Sequence, residues 1–373
     1  MEDVDYNSSV AYDDEYLDDF EPIVVLEEYS PLEARVLRIF LVVVYCIICF
    51  LGILGNSLVI IICTCKMKKT VNTVWFLNLA VADFLFNVFL PIHIAYTAMD
   101  YHWVFGKTMC KINNFLINYN MYTSVFLLTI ISLDRCISVL LPVWSQNHRS
   151  LRLAYVASVA IWILAFFLSS PSLVFRDTID VHGKTYCFYN FSLTGTGTGP
   201  SHHPGGHSTD PVVYSRHLMV TITRFLCGFL LPILIITVCY LTIVFRLRRN
   251  RLAKTKKPFK IIVAIIVTFF LCWGPYHTLY LLELRQATGS SSVFSLVMSL
   301  ASVIAIANSC VNPILYVFMG QDFKKFQVAL FSRLANALSE DTGHSSYASH
   351  RSITKMSSVN ERTLMNEKET SML

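Results

Sequence analysis

Seven apolar stretches, each near the ~20 residues a helix needs to cross a hydrocarbon layer, fill most of this 373-residue chain. Unpaired backbone amides are too costly in lipid for such stretches to be anything but helical. The spans lie near residues 38–65, 73–99, 107–139, 152–175, 217–246, 257–284 and 292–318. Hydrophobic residues make up 54% of the chain and charged ones only 15%, well below the charge of a soluble domain. The expected fold class is therefore an all-α membrane protein: a seven-transmembrane helix bundle with a short amphipathic eighth helix. Residues 1–37 read as a disordered acidic N-terminus and 38–318 as the bundle. Residues 319–332 form the interfacial helix, with Phe323, Phe326, Leu330 and Phe331 on one face. Residues 333–373 read as a disordered Ser/Thr-rich tail.

The net charge of +5 hides an asymmetry: residues 1–34 hold twelve acidic residues and no Lys or Arg. Basic residues gather after spans one, three and five, as in Lys66, Lys68, Lys69, Arg149, Arg152 and the run from Arg246 to Lys260. Lys and Arg favour the cytosolic side, so these loops are expected inside. The N-terminus is then extracellular and, after seven crossings, the C-terminus cytosolic. No apolar signal segment precedes the first span, which must act as its own insertion signal. Of eleven cysteines, only Cys110 and Cys187 fall on the outer face, where an oxidising compartment favours a disulfide. The sequons at Asn7 and Asn190 fall on the same side and are candidate glycosylation sites. His202, His203 and His207 sit in a Gly- and Ser-rich stretch that reads as a linker rather than a metal site. In the tail, Ser339, Thr342, Ser345, Ser346, Ser349 and Ser352 are candidate phosphorylation sites.

Polar residues inside hydrocarbon need shelter and mark functional positions. Asn120 and Ser124 share a face of span three, and Asn308, Asn312 and Tyr316 form a stripe on span seven. Asp83, midway along span two, admits two readings: a hard-cation site built from oxygens, or a polar network that holds helices together. Pro275 and Pro313 each remove a backbone hydrogen bond inside a span and should loosen it. Trp273, two residues before the first proline, is either a core aromatic or a packing switch. Span three separates Cys110 from Asp134-Arg135 by about 37 Å at 1.5 Å per residue, so the ion pair lies at the cytosolic rim. Arg224 lies in the outer half of span five, too deep to reach water easily, and Arg176 at the outer end of span four. Two guanidiniums facing one cavity would grip a carboxylate or phosphate; for Arg176 an interfacial anchor is the other reading. Tyr276, Tyr280 and Glu283 repeat at helical spacing on span six and could line the same cavity, as could Asn118 on span three.

Gly55-Asn56, Leu79 to Asp83, Asp134-Arg135-Cys136, Trp162, Cys272 to Pro275 and Asn312-Pro313-Ile314-Leu315-Tyr316 resemble the rhodopsin-like G-protein-coupled receptors, in order and across residues 35–335. Within that family the chain is similar to the peptide chemoattractant branch. The resemblance implies a cell-surface receptor at the plasma membrane, not an enzyme and not a nucleic-acid binder. Its agonist would be a basic protein or peptide with a free C-terminal carboxylate, held by Arg176 and Arg224. Its cytosolic partners would be an inhibitory G protein and arrestin. Asp83, Ser124, Asn308 and Asn312 match an allosteric sodium site, and no other cofactor is implied. Arg135 matches the residue that contacts the G protein, and Trp273, Pro275, Tyr240 and Tyr316 match activation switches. Thr255 stands where many relatives place an acidic partner for Arg135, which implies a weak lock between spans three and six and some basal signalling. A transporter would be expected to show paired repeats and broken spans; seven spans without such repeats argue against one. A scavenger receptor that does not signal is opposed by the intact Asp134-Arg135.

Overall fold

The structure is a computed structural model that describes residues 31–181, 183–193, 211–249, 257–283 and 292–319. Asn7, the His202–His207 stretch, Thr255, the amphipathic segment and the tail with its candidate phosphorylation sites lie outside these residues. Helices α1 (Pro31–Cys65), α2 (Val71–Ala98), α3 (Gly106–Leu140), α4 (Pro142–His148), α5 (Leu151–Ser169) and α6 (Pro171–Phe175) lead into a hairpin of β1 (Arg176–Val181) and β2 (Lys184–Tyr189). Then come α7 (Pro211–Phe225), a π-helical turn at Leu226–Leu230, α8 (Leu231–Arg249), α9 (Lys257–Glu283) and α10 (Ser292–Met319). Among the described residues six stretches are long and apolar enough to cross a membrane, and the apolar part of α9, Ile266–Leu282, is a shorter seventh.

Local chemistry sets the helix starts. Thr70 caps α2 by accepting from the Thr73 amide, and Ser150 caps α5 by accepting from that of Leu153. The first helix begins at Pro31, so residues 31–37, expected to be disordered, are helical. Glu33 lies in the first described turn, where it complements the positive end of the helix. Pro275 and Pro313 sit inside helices that continue on both sides. The π turn and the antiparallel hairpin were not legible in the sequence.

The helices approach closely where side chains are small. A Cβ on Gly52 would lie 2.2 Å from the Asn87 side chain, and one on Gly55 2.8 Å from Pro313. Glycine at both positions lets α1 pack on α2 and α10. Buried Asn56 then donates to the backbone carbonyls of Gly52 and Ser309, each at 2.9 Å. Leu41, Tyr45, Ile48, Phe86, Leu90 and Ile306 form one apolar core between these three helices. Trp162 on α5 donates to Asn78 on α2 at 2.8 Å. The opposite faces, such as Ile39, Phe40, Val43, Ile47 and Phe50 on α1, are exposed, as a lipid-facing surface requires.

Candidate functional site

The polar intruders divide into three layers along the bundle. At one end, the Cys110–Cys187 disulfide joins the start of α3 to β2, as expected. The hairpin register pairs Arg176 with Tyr189, and directly opposite residues share a face of the sheet. The Arg176 guanidinium accordingly stacks 3.7 Å above the Tyr189 ring. From α7, Arg224 donates from Nη2 to the Tyr189 Oη at 2.8 Å and lies 5.2 Å from the Tyr280 ring centre. Arg224 is only 5% exposed, and among the described residues its polar partners are phenols, with no carboxylate in reach. Burial opposes ionisation of the Tyr189 phenol, but the guanidiniums of Arg224 and Arg176 outweigh it and hold the group down at about 7.

Other expected residues join this cluster. Asn118 donates to the Ser172 hydroxyl at 2.8 Å, and that hydroxyl lies 3.4 Å from Tyr189 Oη. Tyr276 packs on Tyr280 with ring centres 4.6 Å apart, and Trp273 lies beneath at 5.6 Å from Tyr276. Glu283 ends α9; its side chain is outside the described residues. Tyr189 and Ser172 were missed by sequence reasoning. Tyr189 could have been found from its spacing: side chains alternate along a strand, so the residue two beyond disulfide-tethered Cys187 shares its face. Asn190, the candidate glycosylation site that follows, uses its side-chain oxygen locally to accept from the Ser192 amide and hydroxyl.

In the middle layer, Asp83 is fully buried and both carboxylate oxygens are engaged. Asn120 donates to one at 2.9 Å and Asn312 to the other at 2.8 Å. The buried Ser124 hydroxyl lies close enough to act on this carboxylate, though without a hydrogen bond of standard geometry. The Asn308 and Asn312 side-chain oxygens are buried and accept no hydrogen bond among the described residues. A buried carboxylate together with unpartnered amide oxygens one helical turn apart on α10 suits a small hard cation. The same contacts also tie α2, α3 and α10 together, so the network reading holds as well.

At the other end, Arg135 donates to Asp134 at 2.8 Å, the pairing expected from the sequence. The structure adds two partners. Arg149 donates to the same carboxylate from Nε at 2.7 Å and from Nη2 at 3.0 Å. Asn72, at the start of α2, accepts from Arg149 at 2.6 Å and also from Arg135. Tyr240 packs nearby against the core of Cys136, Cys239 and Ile243. Tyr316 lies on α10, its side chain outside the described residues.

An ion-paired Asp-Arg at one end, a buried carboxylate network in the middle and a disulfide-tethered hairpin at the other form a distinctive combination. The pattern described as 7 transmembrane receptor (rhodopsin family) matches residues 55–316. This chain belongs to that family. It is a multi-pass membrane receptor rather than an enzyme. It is 75% identical over 369 residues to Chemerin-like receptor 1 of Sus scrofa, covering 99% of each chain. It is 76% identical over 350 residues to Chemerin-like receptor 1 of Homo sapiens, covering 94% of this chain and 93% of the other. With the C3a anaphylatoxin chemotactic receptor of Danio rerio identity is 44% over 315 residues, covering 84% and 81%.

Proposed function

We propose that this receptor recognises a chemerin-like protein through the ligand's C-terminal carboxylate and signals through an inhibitory G protein and arrestin. The observation that carries the reading is Arg224, a buried guanidinium whose polar partners among the described residues are phenols. A buried cation needs a compensating anion, and a carboxylate from outside supplies one. Arg176, stacked 3.7 Å over the same Tyr189, adds a second positive group. The aromatic surface of Tyr276 and Tyr280 offers apolar contact to the residues that precede the carboxylate. The disulfide end is then extracellular, in keeping with the acidic N-terminus, which would steer a basic ligand inward.

The remaining layers transmit the event. Trp273 packs against Tyr276 of the aromatic wall, and a bound sodium ion held by Asp83, Ser124, Asn308 and Asn312 would favour one packing of α2, α3 and α10. Arg135 is the group offered to the G protein when it leaves Asp134, and the tail's candidate phosphosites serve arrestin. The agonist acts by binding one of two bundle states more tightly. A cAMP-inhibition assay on cells expressing the chain tests this reading, using peptides that copy the C-terminal residues of chemerin with free or amidated ends. The free acids are expected to be at least tenfold more potent; equal potency would reject the carboxylate anchor.

A further inference from the structure

We propose that Tyr189 is a built-in competitor at the anion receptacle: its phenolic oxygen holds the Arg224 donor that a ligand carboxylate must take. This inference rests on the reading of Arg176 and Arg224 as a carboxylate receptacle and goes beyond it. The geometry leaves Tyr189 little freedom. Arg176 covers one face of its ring at 3.7 Å. Phe191 is stacked parallel with it, ring centres 5.4 Å apart, and His217 of α7 stacks on Phe191 at 4.8 Å. This column of guanidinium, phenol, phenyl and imidazole links the hairpin to α7 and aims the hydroxyl at Arg224.

Exchange of partners favours an incoming carboxylate. A phenol offers the guanidinium fork one oxygen, whereas a carboxylate offers two in bidentate geometry together with a full negative charge. The competitor strengthens when Tyr189 loses its proton, because a phenolate both pairs with Arg224 and repels an anionic ligand. Burial resists that loss while Arg224 and Arg176 promote it, leaving the phenol at about 7. The groups facing it from each packed element are Arg176 on β1, Arg224 on α7, Tyr122 on α3 and, across Arg224, Tyr276, Tyr280 and His277 on α9. His217 reaches Tyr189 only through Phe191.

One pH unit above its pKa, about one-tenth of a group keeps its proton, and apparent affinity scales with the competent fraction. Free-acid peptide should therefore bind about tenfold more weakly at pH 8 than at pH 6. Competition binding on membranes bearing the full chain measures this from pH 6 to 8.5. The probe is a histidine-free peptide copying the chemerin C-terminus, N-acetylated, in free and amidated forms. Wild type should show the slope with the free acid and none with the amide. Tyr189→Phe keeps the stacked ring and should bind the free acid tightly with a flat profile, while His217→Gln should keep the slope. A Tyr189→Phe receptor that retains the wild-type slope, or binds the free acid more weakly at pH 8, overturns the inference. So does a flat wild-type profile, which depends on no variant folding. Arg224→Ala separates the two levels: if it no longer distinguishes acid from amide, the receptacle stands whatever Tyr189 does. If it still distinguishes them, the receptacle reading itself fails.

Discussion

Each end of the bundle places two guanidiniums around one oxygen group, and the two groups differ in kind. At the disulfide end Arg176 and Arg224 share the Tyr189 phenol. At the other end Arg135 and Arg149 share the Asp134 carboxylate, with both oxygens engaged. A phenol offers one oxygen where a carboxylate offers two, so an incoming carboxylate can replace it. The carboxylate neutralises one of its two cations outright. Separating this partly buried carboxylate from a partner is costly, unless another cation remains. Arg149 already donates to both oxygens of that carboxylate, so under the proposed function it would keep Asp134 paired when Arg135 departs. Under the proposed function the first pair receives and the second releases.

The largest expected effect breaks the receiving pair. Arg224→Ala should cost the free-acid peptide about 2–5 kcal/mol, the range for truncating one member of a buried hydrogen-bonded charge pair, and the amide far less. Saturation binding of both peptides measures it; equal losses would mean that the receptacle does not read carboxylates. Asp134→Asn addresses the releasing pair and should raise basal nucleotide exchange several-fold, on the scale of ~1–3 kcal/mol between states. Membranes whose basal GTPγS binding does not rise would show that Asp134 holds nothing back. Asp83→Asn, between the two, should remove a severalfold effect of sodium on agonist affinity, and a surviving sodium effect would move the cation elsewhere. The smallest change is expected from Arg149→Ala, which removes the relief partner. Agonist-stimulated exchange should fall roughly twofold, in line with a partly exposed ion pair. An increase would reverse the role given to Arg149.

The sequence revealed the bundle because lipid imposes a length and an apolar composition on every span. It marked Asp83, Arg135 and Arg224 as candidates because charge in such a span needs shelter. What escaped it depends on pairing between distant segments. Tyr189 looks like one of eighteen tyrosines until the hairpin register sets it opposite Arg176. Arg149 and Asn72 carry no mark of their partners, since 15 residues separate Arg149 from Asp134, and 63 and 77 separate Asn72 from Arg135 and Arg149. The early start of α1 was masked by the acidic residues that precede it, and the π turn beyond Arg224 has no composition of its own.

A cryo-electron microscopy structure of the receptor bound to a free-acid chemerin C-terminal peptide tests the difference between the two ends most directly. The expected result is a ligand carboxylate within about 3 Å of the Arg224 guanidinium, with the Tyr189 hydroxyl displaced from it and Arg149 still on Asp134. A bound peptide whose carboxylate lies elsewhere, over an intact Arg224–Tyr189 hydrogen bond, would contradict it.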